Sequence, residues 1–216
     1  YYAKEGGSQF IADRLSQGLK IVYNAPVSGI VQKDGAYWIG DHGPFDTVVY
    51  TGDVRSLDQV FPHLDSAAQI SNDVRNLPSN GTSNIFCETD PGDISWLYLP
   101  DPAIKAHRII YTGTFAPSNN QGTDRHTCVV EFSGQYSYEF MCEQIKSLPG
   151  NLKPLDWNYE PNSYIVHIDG TKEKIDAAKA KLRKDNIHLL GRFAEWEYYN
   201  MDKAIEASMA LGKVLS

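Results

Sequence analysis

Near the end of the chain, Gly191-Arg192 is followed by Trp196, Tyr198 and Tyr199, and then by Asn200-Met201-Asp202. These residue types in this order have chemistry to offer. Gly191 permits backbone shapes that other residues resist. The Arg192 guanidinium is a planar fork suited to phosphate or carboxylate. Asn200 is a good cap for a helix, whose first N–H groups point outward with partial positive charge and attract an anion or an electron-rich carbonyl. Trp196, Tyr198 and Tyr199 add flat surfaces and polar edges. The plainer alternative is an ordinary capped helix docked on a sheet, with Arg192 paired to Glu195 or Glu197 and Tyr198 in the core.

A second group, Trp96, Tyr98, His107, Arg108, Tyr111 and Arg125, mixes aromatic rings with cations. Such a mixture suits a cleft for a sugar nucleotide or an aromatic substrate. The alternative is a set of scattered strand residues. The six histidines show no metal-ligand spacing, so no metal site is expected. Asp124 and His126 could do acid–base work but lack a third partner. Cys128 reads as a buried strand residue rather than a nucleophile. There is no GxSxG, which leaves hydrolase chemistry without support.

These residues need elements to hold them. Phe10, Ile11 and Leu15 share one helical face after Ser8, with Gly18 ending the helix. Short apolar runs follow at 19–23, 27–31, 37–39 and 47–51, separated by turn signals at 24–26, 33–35 and 41–44. They read as a small antiparallel meander ending in Thr47-Val48-Val49-Tyr50-Thr51. Further strands are expected at 83–88, 95–99, 108–112, 127–132 and 164–168. One helix is expected over 138–148 with Phe140, Met141 and Ile145 inward. A second is expected over 169–185 with Thr171 as N-cap and Ile175, Ala178 and Leu182 buried. Residues 90–92, 100–102 and 149–161 read as loops. A short strand at 187–190 and a helix from about 201 to 215 close the chain. The class is α+β.

Composition narrows the partners. The chain has 216 residues, 42% hydrophobic, enough to bury a real core. Its net charge is −7 and no basic stripe appears, so a nucleic-acid partner is not expected. Three cysteines without a CxxC point to a reducing, cytoplasmic setting. Asn80-Gly81-Thr82 reads as a turn. No apolar run approaches the roughly 18 residues of a membrane-spanning helix. No signal peptide is visible, and the first residue is Tyr1 rather than Met, which reads as part of a longer chain.

The string from Gly191 to Asp202 resembles the C-terminal flavin motif of the UDP-galactopyranose mutases and the related FAD-dependent amine oxidoreductases. Three other segments fit. Tyr1-Tyr2-Ala3-Lys4-Glu5-Gly6-Gly7-Ser8 looks like the family's "YPKGG" segment. Residues 19–30, followed by Phe45-Asp46-Thr47-Val48-Val49-Tyr50-Thr51-Gly52, resemble its "NTPV..I … fDxVIyTG" segment. Asn162-Ser163-Tyr164-Ile165-Val166 resembles the mutases' "YAYPVYD" segment. The resemblance implies a Rossmann-like FAD domain, of which this chain holds the late strands and last helix (1–52 and 188–216). Residues 53–187 would form a substrate domain with a mixed or antiparallel sheet. It implies that Asn200, Met201 (through its backbone N–H) and Asp202 hold the flavin, with Gly191, Arg192 and Gly52 nearby and Val27 where the family's adenine-side strand passes. In the mutases the residue matching Arg192 reaches the substrate diphosphate, and that matching Tyr198 packs beside it. By their residue types rather than by the resemblance, Trp96, Tyr98 and Arg108 are expected to contact substrate; the mutases' substrate tyrosine and arginine pattern is not clearly matched in this middle part.

Two departures stand out. Asp53 follows Gly52 where the mutases have Pro, and the family's opening GxGxxG, which cradles the FAD pyrophosphate, occurs nowhere. The chain is therefore expected to be the C-terminal portion of a longer flavoprotein, inactive and without tightly held FAD by itself. The favoured parent is an amine oxidoreductase acting on a small molecule. A mutase acting on a sugar nucleotide and a non-catalytic binding module are the alternatives.

Overall fold

The computed structural model describes residues 3, 5–120 and 122–216. Tyr1, Tyr2 and Lys4 of the N-terminal segment lie outside the described residues. The elements run α1 (Gln9–Leu15), β1 (Ile30–Lys33), β2 (Ala36–Ile39), β3 (His42–Phe45), β4 (Val48–Tyr50), α2 (Leu57–Val60), α3 (Asp65–Val74), β5 (Ser79–Glu88), β6 (Trp96–Tyr98), β7 (Ala106–Ile110), α4 (Thr112–Phe115), β8 (Thr127–Ser133), α5 (Tyr138–Ile145), β9 (Lys153–Ile165), α6 (Thr171–Leu182), β10 (Ile187–Leu189) and α7 (Met201–Leu215). They form two compact units. One comprises residues 24–79 and 164–216, the other residues 1–23 and 80–163.

In the first unit, β1, β2 and β3 form an antiparallel meander whose first turn, Asp34-Gly35, has both residues at positive φ, as a two-residue hairpin turn requires. β4 does not join the meander, as its sequence position suggests. It pairs in parallel with β10, Val48 opposite Ile187 and Tyr50 opposite Leu189. Ile187 and Leu189 alternate inward around the half-buried His188, the period of a strand with one covered face. Thr171, Ile175, Ala178 and Leu182 form the buried stripe of α6, spaced as helix geometry demands. With Ala67, Ile70 and Val74 of α3 and with Tyr37, Leu57, Phe61 and Trp196, they make one core. Because α2, α3 and α6 share this core, residues 53–79 and 164–187 fall in this compact unit, whereas the sequence reading set boundaries at 52/53 and 187/188. The cap of α6 is Gly170 at φ +78; Thr171 begins the helix and its hydroxyl accepts from Ile168 N–H at 3.0 Å.

The second unit is a five-stranded sheet in the order β6-β7-β8-β5-β9. Ile85, Cys87, Ile109, Cys128, Val130 and Phe132 lie in its core, with Met141 and Ile145 of α5. The start of α5 is capped by Ser137, which accepts from Phe140 N–H. Phe140 itself is not inward: it is 37% exposed and stacks on Tyr136 at 4.9 Å. Residues 149–161, expected as a loop, supply most of β9. This is an edge strand, where the missing N–H of Pro154 and Pro161 is tolerated. Residues 19–23 form no strand, and their apolar side chains are exposed.

Leu182 is completely buried between these helices and the parallel pair. Leu182→Ala should therefore lower unfolding stability by about 2–5 kcal/mol in urea denaturation. A loss below about 1 kcal/mol would contradict this assignment of the core.

Candidate functional site

The parallel pairing of β4 and β10 puts the C-terminal ends of both strands at one edge, and each end runs into a glycine. Pairing continues one step past β10, with Leu190 N–H donating to Tyr50 O at 3.0 Å. At Gly52, a Cβ atom would lie 2.6 Å from the Tyr50 hydroxyl oxygen and 2.7 Å from Cζ. That hydroxyl donates to Asp53 O at 2.8 Å. Burial, and then the Asp53 charge, push the Tyr50 phenol up to about 12. A side chain at 52 would therefore have to displace the Tyr50 ring. Gly191 has φ +97, a conformation that favours glycine.

The turn after Gly191 is tied in place. Glu195 accepts Gly191 N–H at 2.9 Å through one oxygen and pairs with Lys179 at 2.8 Å through the other. Val54 N–H donates to Phe193 O at 3.1 Å and joins the two glycine turns. Trp196 adopts φ +50 while fully buried, a strained state of order 1–3 kcal/mol that the surroundings must enforce. Its indole N–H donates to Val166 O at 3.2 Å.

Arg192 turns toward the start of α7. Its Nε donates to Tyr199 O at 2.9 Å and Nη2 donates to the same carbonyl. The guanidinium lies 5.0 Å from the Tyr198 ring centre and 5.8 Å from that of Tyr164. Those two rings stack at 5.8 Å and 13°. Asn200 is the N-cap of α7 in extended conformation, but its side chain accepts no bond from the first turn. A helix start without a side-chain cap leaves its N–H groups for another acceptor. The site thus combines two glycine turns, a cation lying over a pair of rings, and an open helix start.

The other unit carries a second cluster on the non-core face of its sheet. Arg108 of β7 lies opposite Tyr98 of β6, and its guanidinium sits 4.6 Å over the Trp96 ring. Tyr98 and Phe115 contact the same indole at 5.9 Å and 6.2 Å. Glu131 of β8, 10% exposed, binds Arg108 Nη2 at 2.6 Å and His107 Nε2 at 2.8 Å. The register of β7 shifts between Ala106 and Arg108, and this bulge lets consecutive residues reach one carboxylate. Burial alone would raise the Glu131 carboxyl, but the hydrogen bonds from His107 and Arg108 outweigh it and hold it below its ordinary 4.5.

The profile of the family described as flavin containing amine oxidoreductase matches residues 1–143, well over half of the sequence. The chain belongs to that family. No curated protein matches it. Among solved structures, a reduced UDP-galactopyranose mutase aligns over all of this chain and 53% of its own, at 16% identity and TM-score 0.74. A redesigned putrescine oxidase aligns over 97% and 52%, at 13% and 0.63. An oxidoreductase from Methanosarcina mazei aligns over 87% and 49%, at 15% and 0.60. At these identities the likeness concerns the fold: mixed helix and antiparallel sheet, as in FAD-dependent oxidoreductases. The chain spans about half the length of these structures.

Among the residues singled out from sequence, Arg192 and Tyr198 are in contact just before α7, where Asn200 is the N-cap, while Gly52 and Gly191 follow the paired strands β4 and β10; Trp96, Tyr98 and Arg108 gather on one sheet face. Val27 lies before β1 in an irregular segment rather than on a strand, with its side chain 47% exposed. Tyr111 packs partly against the core, and Arg125 pairs with Glu88 at 2.6 Å. Glu131 and Tyr164 complete the two clusters without having been singled out from sequence. A lone Glu inside a hydrophobic strand run was the available signal for Glu131. Among the described residues no three His, Cys, Asp or Glu side chains could share a metal ion, and no helix is long and apolar enough to cross a membrane.

Because the folded Glu131 carboxyl titrates below 4.5, its stabilisation is complete above that pH and is lost as pH falls through the lower folded value. Wild type should exceed Glu131→Gln in stability at neutral pH, with the gap closing in acid. Thermal melts across pH check this, and a gap unchanged down to about pH 3 would contradict it.

Proposed function

We propose that the chain is the C-terminal portion of an FAD-dependent amine-oxidoreductase-like enzyme, contributing a substrate-binding sheet face and the last flavin-binding helix. One observation carries this reading. Gly52 and Gly191 follow the C-terminal ends of a parallel strand pair, the edge where open α/β sheets receive ligands, and Arg192 beside Gly191 grips Tyr199 O just before α7. The donor set fits the polar edge of a flavin ring. The first-turn N–H groups of Met201 and Asp202 supply donors, both glycines permit close approach, and Arg192 supplies positive charge. When bound, the flavin would supply hydride acceptance from a C–H beside an amine. Residues 24–79 and 164–216 would serve the cofactor. In the other unit Trp96, Tyr98 and Arg108 would bind substrate, with Glu131 holding Arg108 in place.

Two features favour further chain completing the cofactor domain. Parallel sheets are normally covered on both faces, yet α7 buries none of its residues, and a cavity of about 360 Å³ separates it from His188 and Leu189 of β10. A dinucleotide-binding segment beyond residues 1–216 would account for both, and for the neighbours' double length. The chain by itself is then not expected to retain FAD or to turn over substrate. A second reading, a mutase acting on a sugar nucleotide, is favoured by the Arg192 guanidinium over the Tyr164–Tyr198 stack, a geometry suited to a diphosphate.

The visible spectrum of a full-length protein carrying this chain tests both. A flavin band is expected, bleached anaerobically by a primary amine under the first reading. A band that responds to UDP after chemical reduction would support the second. Arg192→Ala should weaken flavin binding by about tenfold, the scale of one charge-assisted contact. A colourless full-length protein would overturn both readings.

A further inference from the structure

Arg55 belongs to no motif, yet it holds three segments together. Its side chain is 18% exposed. Nε lies 3.0 Å from each oxygen of Asp53, and Nη2 lies 2.6 Å from Asp53 Oδ2. Asp53 Oδ1 also accepts Arg55 N–H at 2.9 Å. Nη1 donates to Leu77 O at 3.0 Å and to Ser79 Oγ at 3.1 Å. The guanidinium carbon Cζ then lies over the Trp196 ring, 4.8 Å from its centre. One side chain thus joins the turn after β4, the start of β5 and the turn after β10.

The last of these contacts matters for the site. Trp196 is the buried, left-handed residue of the turn that begins at Gly191. The next residue, Glu197, donates its N–H to Arg192 O at 3.0 Å. Arg192 in turn grips Tyr199 O, one residue before the cap of α7. A continuous path of contacts therefore runs from Arg55 through Trp196 and Arg192 to the helix start. Lysine could supply the charge, but not the planar stack together with donors in three directions.

We propose that Arg55 is a positioning residue: its stack on Trp196 sets the turn that aims Arg192 and the start of α7 at the flavin. The proposal rests on reading that helix start as the flavin site.

The test uses the full-length protein carrying this chain, with Arg55→Met, Arg55→Lys, Trp196→Phe and the Arg55→Met/Trp196→Phe double variant. Flavin dissociation constants, flavin visible spectra and melting temperatures are measured for each. Arg55→Met should weaken flavin binding by about tenfold and shift the visible band. Arg55→Lys should recover little of the loss. In the Trp196→Phe background, Arg55→Met should cost much less than it does alone. If Arg55→Met does not fold, Arg55→Lys carries the same comparison. Lowered melting temperature with unchanged flavin affinity and spectrum would overturn the proposal, as would strictly additive effects of the two substitutions. A wild-type protein that takes up no flavin would instead overturn the reading of α7, before any variant is compared.

Discussion

The parallel pairing of Val48–Tyr50 with Ile187–Leu189 is the constraint on which the tail site depends. An antiparallel pair would send the two strands' ends to opposite edges. A parallel pair brings Gly52 and Gly191 to the same edge, where Val54 and Phe193 join the turns that follow. Parallel strands need a long crossover rather than a hairpin. Here the crossover includes α3, the five-stranded sheet and α6. The pair is short, and its hold comes less from its own ladder than from Ile187, Leu189 and Val48 packing into the helical core.

A recurring device appears in both units. Arg55 on Trp196, Arg192 on Tyr198 and Arg108 on Trp96 each place a guanidinium over an aromatic face while its nitrogens bond to carbonyl or carboxylate oxygens. The planar fork makes this possible, because stacking occupies its face and leaves its edge for hydrogen bonds. A flexible side chain is thereby held to one geometry. On the five-stranded sheet the bulge at His107 extends the arrangement by giving Glu131 a second donor.

Features written in local patterns were legible in the sequence. The stripe of α6, the Asp34-Gly35 turn, the final helix and the gathering of residues 191–202 follow from spacing and capping chemistry. Features set by distant partners were not. β4 reads as the last strand of a meander because nothing near it announces β10. β9 reads as a loop because Pro154 and Pro161 are breakers everywhere except on an edge. Asn200 was legible as a cap by position, but the idle side chain was not. Arg55 was invisible as a member of a site because Leu77, Ser79 and Trp196 come from distant segments, and for Glu131 the isolated carboxylate in an apolar strand was a signal without its partners His107 and Arg108.

On the proposed function, the start of α7 holds the flavin. Hydrogen–deuterium exchange on the full-length protein, stripped of flavin and reloaded, tests it directly. Protection gained by the backbone amides of Met201–Lys203 and of the Gly191–Phe193 turn is the predicted result. Flavin binding that leaves these amides exchanging as in the stripped protein, while protecting others, would contradict the account.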